Sequence, residues 1–305
     1  MNRNNCNLCG HSEFDRYLYN NHNRKLSLLF KSFIGTFLFY ILKTLNIKYF
    51  QRFIFTTLMS IRFCKHCGHG ALISKIKADD LQSYYSYKFW DTVGMVMPNK
   101  INRGKGQYKY VESYLKKDKF RVLEIGAGSA AMLILLKKNN KNVILDVVEP
   151  GEQWADYYKK NNINRVSSFF PWKTSISYDY IHTSHWLEHV LDLDSVILSM
   201  KSILKKNSYV FIEVPNSNSD YWSNDIKDVP HIHFFSAKSL QILMSKHGFM
   251  PVKIGEYGYT NTEFFDSVVK GKKLSKSVIN DAEKSISKSL ERNDGSIIRS
   301  LFKLI

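Results

Sequence analysis

The spacing of apolar residues divides the chain into two regimes. From Phe120 onward, short apolar runs alternate with amphipathic stretches. Extended segments are expected at 121–125, 143–149, 178–182, 208–214 and 250–257, with helices at 129–138, 152–161, 192–205 and 237–247 between them. Strands alternating with helices bury both faces of a mostly parallel sheet, so the expected fold is α/β, doubly wound and Rossmann-like. A helix over 108–116 feeds its first strand.

The N-terminal region follows another pattern. From Leu26 to Leu45 the polar positions Ser32, Thr36 and Lys43 form one narrow stripe on an otherwise apolar helix. A second helix, 47–60, sets Lys48, Gln51, Arg52 and Thr56 opposite Phe50, Phe53, Ile54 and Leu58. The uncharged run between Lys31 and Lys43 falls short of the ~20 residues needed to cross a bilayer. The pair reads as a hairpin buried against protein, or as helices resting in a membrane interface. At the other end, Leu274, Val278, Ala282, Ile286 and Leu290 form one stripe suited to a packing or oligomer helix. The expected domains are a helical, cysteine-bearing module at 1–80, an aromatic linker at 81–106, the α/β domain at 107–259 and a helical tail at 260–305.

A net charge of +17 attracts polyanions whatever the fold. Here the lysines are dispersed through helices, which favours a solvated basic surface over a nucleic-acid site. Asn, Arg, Cys and His crowd the first residues and leave no room for a secretory signal, so a cytoplasmic location is expected, with peripheral membrane contact through 24–60 left open.

Two stretches carry chemistry. Arg121-Val-Leu-Glu-Ile-Gly-Ala-Gly-Ser129 reads as a strand that turns sharply into a helix, and its glycines let the backbone approach a ligand closely. Gly126-x-Gly128-x-x-Ala131 satisfies a dinucleotide fingerprint, while Glu124-x-Gly126-x-Gly128 satisfies the pattern of S-adenosylmethionine (SAM) enzymes. Glu149, at the tip of the second strand, is placed to accept the hydroxyl hydrogens of a ribose in either case. The second stretch is a pair of knuckles, Cys6-Asn-Leu-Cys9-Gly-His11 and Cys64-Lys-His-Cys67-Gly-His69. They contain all four cysteines of the chain and suit a closed, structural S4 zinc site; His11 and His69 are alternative ligands. Disulfides are disfavoured in a reducing compartment.

Within Tyr178-Asp-Tyr-Ile-His-Thr-Ser-His-Trp-Leu-Glu-His-Val190, the run His185-Trp-Leu-Glu188-His189 matches the H-x-x-E-H pattern of a zinc protease family. That chemistry needs a long helix, whereas His185 falls on a strand-to-helix turn. The same run, taken with LEIGAG, VVEP, the LEHV ending, LKKNSYVFIEVPN and HIHFFSAKSLQILMSKHGF, resembles the class I SAM-dependent methyltransferases over about half the chain. The paired cysteine knuckles resemble the N-terminal module of methyltransferases that act on nucleotide-linked sugars and surface-polysaccharide precursors. The long insertion between the knuckles departs from that compact arrangement.

The resemblance implies SAM and a structural zinc as cofactors and a small, sugar-type acceptor. Gly126 and Gly128 would approach the methionine portion, Glu124 would orient the loop, Glu149 would hold the ribose, and Ser184 or His185 would border the methionine moiety. An acidic partner for adenine is not evident around Ser167, Ser168 and Phe169. His233 is the first candidate base, because it follows the fifth strand at the edge where ligands bind. In C-methylating sugar enzymes that segment reads His-Glu-His; Ile232 replaces the acid here, which counts against C-methylation and leaves O- or N-methylation at least as expected. The alternatives are an RNA or lipid/quinone methyltransferase, a dehydrogenase, and a catalytically idle binding subunit.

Overall fold

The computed structural model describes residues 5–19, 59–73, 78–83, 85, 97–115, 119–217, 231–257, 295 and 297–305. The apolar stripe at 274–290 lies outside these residues, as does the expected hairpin at 24–60 except for Met59 and Ser60, which begin a strand where a helix was expected to end.

Seven strands form the main sheet, in the order β10-β11-β8-β7-β4-β5-β6. They are β4 (Arg121–Ile125), β5 (Ile144–Val148), β6 (Asn164–Ser167), β7 (Tyr178–Ser184), β8 (Leu204–Pro215), β10 (Phe249–Tyr257) and β11 (Ile297–Leu304). β4 pairs in parallel with both β5 and β7, and β7 pairs in parallel with β8. β4, β5, β7 and β8 are apolar on both faces, and Val122, Leu123, Ile125, Val147, Ile181, Val210 and Ile212 are all buried. The strand order reverses between β4 and β7, which opens a crevice beyond their carboxyl ends.

Helices α2 (Met97–Val111), α3 (Ala131–Asn139), α4 (Ala155–Lys160), α5 (Leu193–Ser202) and α6 (Ala237–Lys246) accompany the sheet; a short helix, α1 (Ala78–Ser83), precedes them. Asp192 caps α5 by accepting the Ser195 amide, and Ser236 and Ser239 form a reciprocal capping box on α6. Gly104 lets α2 press against α3: a Cβ there would lie 2.9 Å from that of Ala131.

A second sheet, β1-β2-β3-β9, is built from β1 (Phe14–Tyr19), β2 (Met59–Cys64), β3 (Gly70–Leu72) and β9 (His233–Phe234). It joins the N-terminal module to the segment after β8.

The expected α/β fold is present, with three corrections to its details. Residues 297–304, expected in the helical tail, are a strand inserted antiparallel between β8 and β10, so the sheet extends past 259. Both ladders of this strand are filled, and Ile298, Ser300, Leu301 and Phe302 are buried; a helix there would have left β8 with an unpaired edge. The helix expected at 108–116 begins at Met97, inside the expected linker, and ends at Val111. The short strand β6 was not expected, because Asn-Arg-Val-Ser offers no apolar run.

Candidate functional site

The glycine corner is formed as its sequence requires. Gly126 has φ +71° and Gly128 φ +49°, a region that strongly favours glycine. Gly126 is also closely covered: a Cβ there would meet Cδ1 of Trp186 at 2.8 Å. The loop is anchored by Gly126 N–H donating to Val148 O at 2.9 Å. Ala130 continues the turn with a left-handed φ of +47° before α3 begins.

Glu149 holds this corner. Oε2 accepts the Gly128 amide and Oε1 the Gly151 amide, each at 2.8 Å. Arg165 Nε donates to the Glu149 carbonyl at 2.7 Å, and the Tyr158 hydroxyl donates to Gly128 O. Glu124 sits deeper, 5% exposed, with Oε1 3.9 Å from Nε2 of His182. Its Oε2 has no hydrogen-bond partner among the described residues. Burial, and secondarily the charge of Glu149, pushes the Glu124 pKa well up, which favours a protonated carboxyl.

Ser184 and His185 end β7 beside a buried acid that the sequence reading did not single out. Glu213 Oε1 accepts the Ser184 hydroxyl at 2.8 Å and Gln107 Nε2 at 2.9 Å, and Gln107 Nε2 also reaches Ser184 Oγ at 3.0 Å. Arg299 Nε donates to the other oxygen. Burial works against the Glu213 charge, but Arg299, Arg103 and His185 outweigh it and hold the pKa at about 2. An acid inside the apolar run Val210–Val214 and an arginine inside Ile297–Leu301 were the available signals.

His185 has φ +53° and turns the chain into a short 3₁₀ segment, Leu187–His189. The turn gathers His185 with three residues of the LEHV and HIH motifs. Glu188 is 1% exposed, and its Oε1 lies 3.4 Å from His185 Nδ1, 3.7 Å from His189 Nε2 and 3.9 Å from His231 Nε2. Burial opposes the Glu188 charge, but the three imidazoles hold its pKa down to about 2. His231 moves to about 3, mainly through burial.

His233 is buried two residues away, on the strand that pairs with the cysteine module. Its Nδ1 lies 3.3 Å from His69 Nε2, and its Nε2 has no partner among the described residues. Burial, then His69, lowers its pKa to about 3, so the ring is neutral.

The cysteine knuckles are near copies of each other. In one, Cys6 N–H donates to His11 O and Gly10 N–H to Cys6 O; in the other, Cys64 N–H donates to His69 O and Gly68 N–H to Cys64 O. Gly10 and Gly68 share positive φ, +78° and +72°. All four thiols are free, with Cys6 and Cys67 Sγ 3.7 Å apart and Cys9 and Cys64 Sγ 3.4 Å apart. Zn–S bonds of ~2.3 Å set a tetrahedral edge of ~3.8 Å, so the thiolates suit a zinc ion, whose role there would be structural. His11 Nδ1 lies instead by the Cys9 carbonyl, and His69 faces His233.

The module is tied to the main domain at several points. β3 pairs with β9, Leu72 N–H donates to Ile232 O, and Ile232 N–H donates to Glu188 O. Ser236 Oγ donates to Cys67 O at 2.6 Å, and Lys238 Nζ to His66 O at 2.7 Å.

Residues 88–254 match the family described as a methyltransferase domain. The chain belongs to this family. This methyltransferase has no match among the curated proteins searched. Its fold is similar to that of geranyl diphosphate C-methyltransferase from Streptomyces coelicolor A3(2), at 12% identity, over 74% of this chain and 98% of that one, with a TM-score of 0.51. A SAM-dependent methyltransferase from Archaeoglobus fulgidus gives 24% identity, 67% and 94% coverage and a TM-score of 0.48. One from Thermotoga maritima, described as a possible histamine N-methyltransferase, gives 20%, 70%, 98% and 0.48. The protein is a methyltransferase with a Rossmann-like fold. Among the described residues no helix is long and apolar enough to cross a membrane.

Proposed function

We propose that this methyltransferase moves the methyl group of SAM onto an oxygen or nitrogen of a small, sugar-type acceptor, with a structural zinc in the cysteine module. The observation that carries the reading is the backbone bridge between module and site, in which Ile232 bonds to Leu72 on one side and to Glu188 on the other. The module thereby borders the carboxyl edge of the sheet, where an acceptor has to approach the cofactor.

In this reading Gly126 and Gly128 leave space for the methionine portion, and Ser184 and His185 border it. Glu124, its pKa raised by burial, orients the loop from the end of its strand. Glu149 takes the ribose hydroxyls from the tip of the second strand, where its oxygens also accept the Gly128 and Gly151 amides. SAM carries an already activated methyl, so the protein's work is to align an in-line displacement, exclude water and remove the acceptor's proton. His233 is the proposed proton acceptor, through Nε2, with Nδ1 engaged by His69. Peripheral membrane contact through 24–60 is a separate proposal resting on the sequence alone.

The test is a SAM-consumption screen over nucleotide sugars, with the methylated atom located by mass spectrometry. Turnover confined to RNA or to lipid and quinone acceptors would overturn the sugar assignment. Failure of the pure protein to bind SAM or S-adenosylhomocysteine in calorimetry would overturn the cofactor assignment.

A further inference from the structure

Three imidazole nitrogens converge on one oxygen, Oε1 of Glu188, from 3.4, 3.7 and 3.9 Å. None reaches hydrogen-bond geometry, and neither Glu188 oxygen has a hydrogen-bond partner among the described residues. A carboxylate that is 1% exposed and accepts no hydrogen bond from the described residues has only the nearby imidazoles to offset the cost of burying its charge. One carboxylate oxygen of Glu188 and one ring nitrogen each of His189 and His231 lie within 4.8 Å of one another. Donor atoms bound to a single ion at ~2.0–2.2 Å sit ~3–3.5 Å apart, so the Glu188–imidazole distances of 3.7 and 3.9 Å have a few tenths of an ångström to close and the imidazole pair, bounded at 4.8 Å, up to ~1.5 Å.

We propose that Glu188, His189 and His231 bind a divalent first-row transition ion, distinct from the zinc of the cysteine module. Two imidazoles and one carboxylate select zinc, manganese, iron or cobalt over magnesium, which prefers oxygen ligands. Three protein ligands leave open positions, and His185, whose side chain is 27% exposed, stands beside the carboxylate on the solvent side. The turn carrying Glu188 directly follows Trp186, the ring that lies over Gly126, so the ion sits at the edge of the cofactor crevice. Its use in catalysis rests on the methyl-transfer reading above with a hydroxyl acceptor: the ion would orient the hydroxyl and make it more acidic, so that its proton passes to His233 while its oxygen takes the methyl from SAM, which leaves as S-adenosylhomocysteine. The binding itself stands apart from the acceptor's identity.

The experiment is a cobalt(II) titration of the full chain with its cysteine site already filled with zinc, followed by absorption. The expected result is one further ion per chain, with ligand-field bands and no thiolate charge-transfer band. Glu188→Gln and His231→Asn should each weaken this binding at least tenfold while S-adenosylhomocysteine binding persists. No cobalt bound beyond the zinc-filled cysteine site, or a second site untouched by both substitutions, overturns the proposal. If the variants do not fold, the wild-type titration decides alone. S-adenosylhomocysteine binding, measured on the same samples, reports separately on the methyl-transfer reading.

Discussion

Arg299 and Glu213, 86 residues apart in sequence, form a buried ion pair through Nε and Oε2. The pair joins the inserted strand β11 to the end of β8, and the second oxygen of Glu213 holds Gln107 and Ser184 at the carboxyl end of β7. A stabilising contact and a positioning contact thus share one carboxylate.

Replacing Arg299 with Met leaves Glu213 buried without its main countercharge. A loss of about 3–5 kcal/mol is expected in urea unfolding, because the remaining charge keeps its desolvation penalty. Arg299→Lys should lose less.

Glu213 also predicts an acid response. Its folded pKa of about 2 lies below the ~4.3 of an unfolded glutamate, so its contribution is fully present above ~4.3 and is lost as pH falls from there through about 2. Stability measured against pH should fall less steeply across that window in Glu213→Gln than in wild type.

Gly126→Ala meets two obstacles, a φ of +71° and Trp186 Cδ1 at 2.8 Å. Calorimetry should show S-adenosylhomocysteine binding weakened at least tenfold, corresponding to about 1.4 kcal/mol. Trimming Trp186 to Ala in the same chain should recover part of this loss, because the steric component is removed and the backbone strain remains.

Removing the metal from the cysteine module should act at a distance. Cys64→Ser, or a strong chelator, is expected to lower bound zinc and melting temperature together, and also to reduce methyl transfer through the β3–β9 pairing and the Ser236–Cys67 bond. Zinc loss with unchanged turnover would show that the module is not coupled to the site.

For His233 the expected signature is kinetic. His233→Asn should lower kcat by roughly 10²–10⁴-fold, the range for a lost acid–base group, with cofactor affinity retained. A change confined to stability would assign the residue to packing against His69.

The alternation of apolar strands with amphipathic helices determined the α/β class, because a sheet covered on both faces needs continuous apolar runs. The glycine corner was legible for a similar reason: positive φ and close approach leave few residue choices, and Gly126 and Gly128 occupy those positions. The paired knuckles were equally legible, since ligand spacing within a tight turn is local. β11 was not, because an inserted strand is defined by the neighbours that bond to it, and Ile297–Leu304 finds them on β8 and β10 only in the folded sheet. The Glu188 cluster was half legible. His185, Glu188 and His189 stand together in the sequence, but their chemistry depends on His231, which the pairing of the cysteine module with β9 brings to the same turn. Local spacing set the individual motifs; long-range pairing decided which imidazoles face one buried carboxylate.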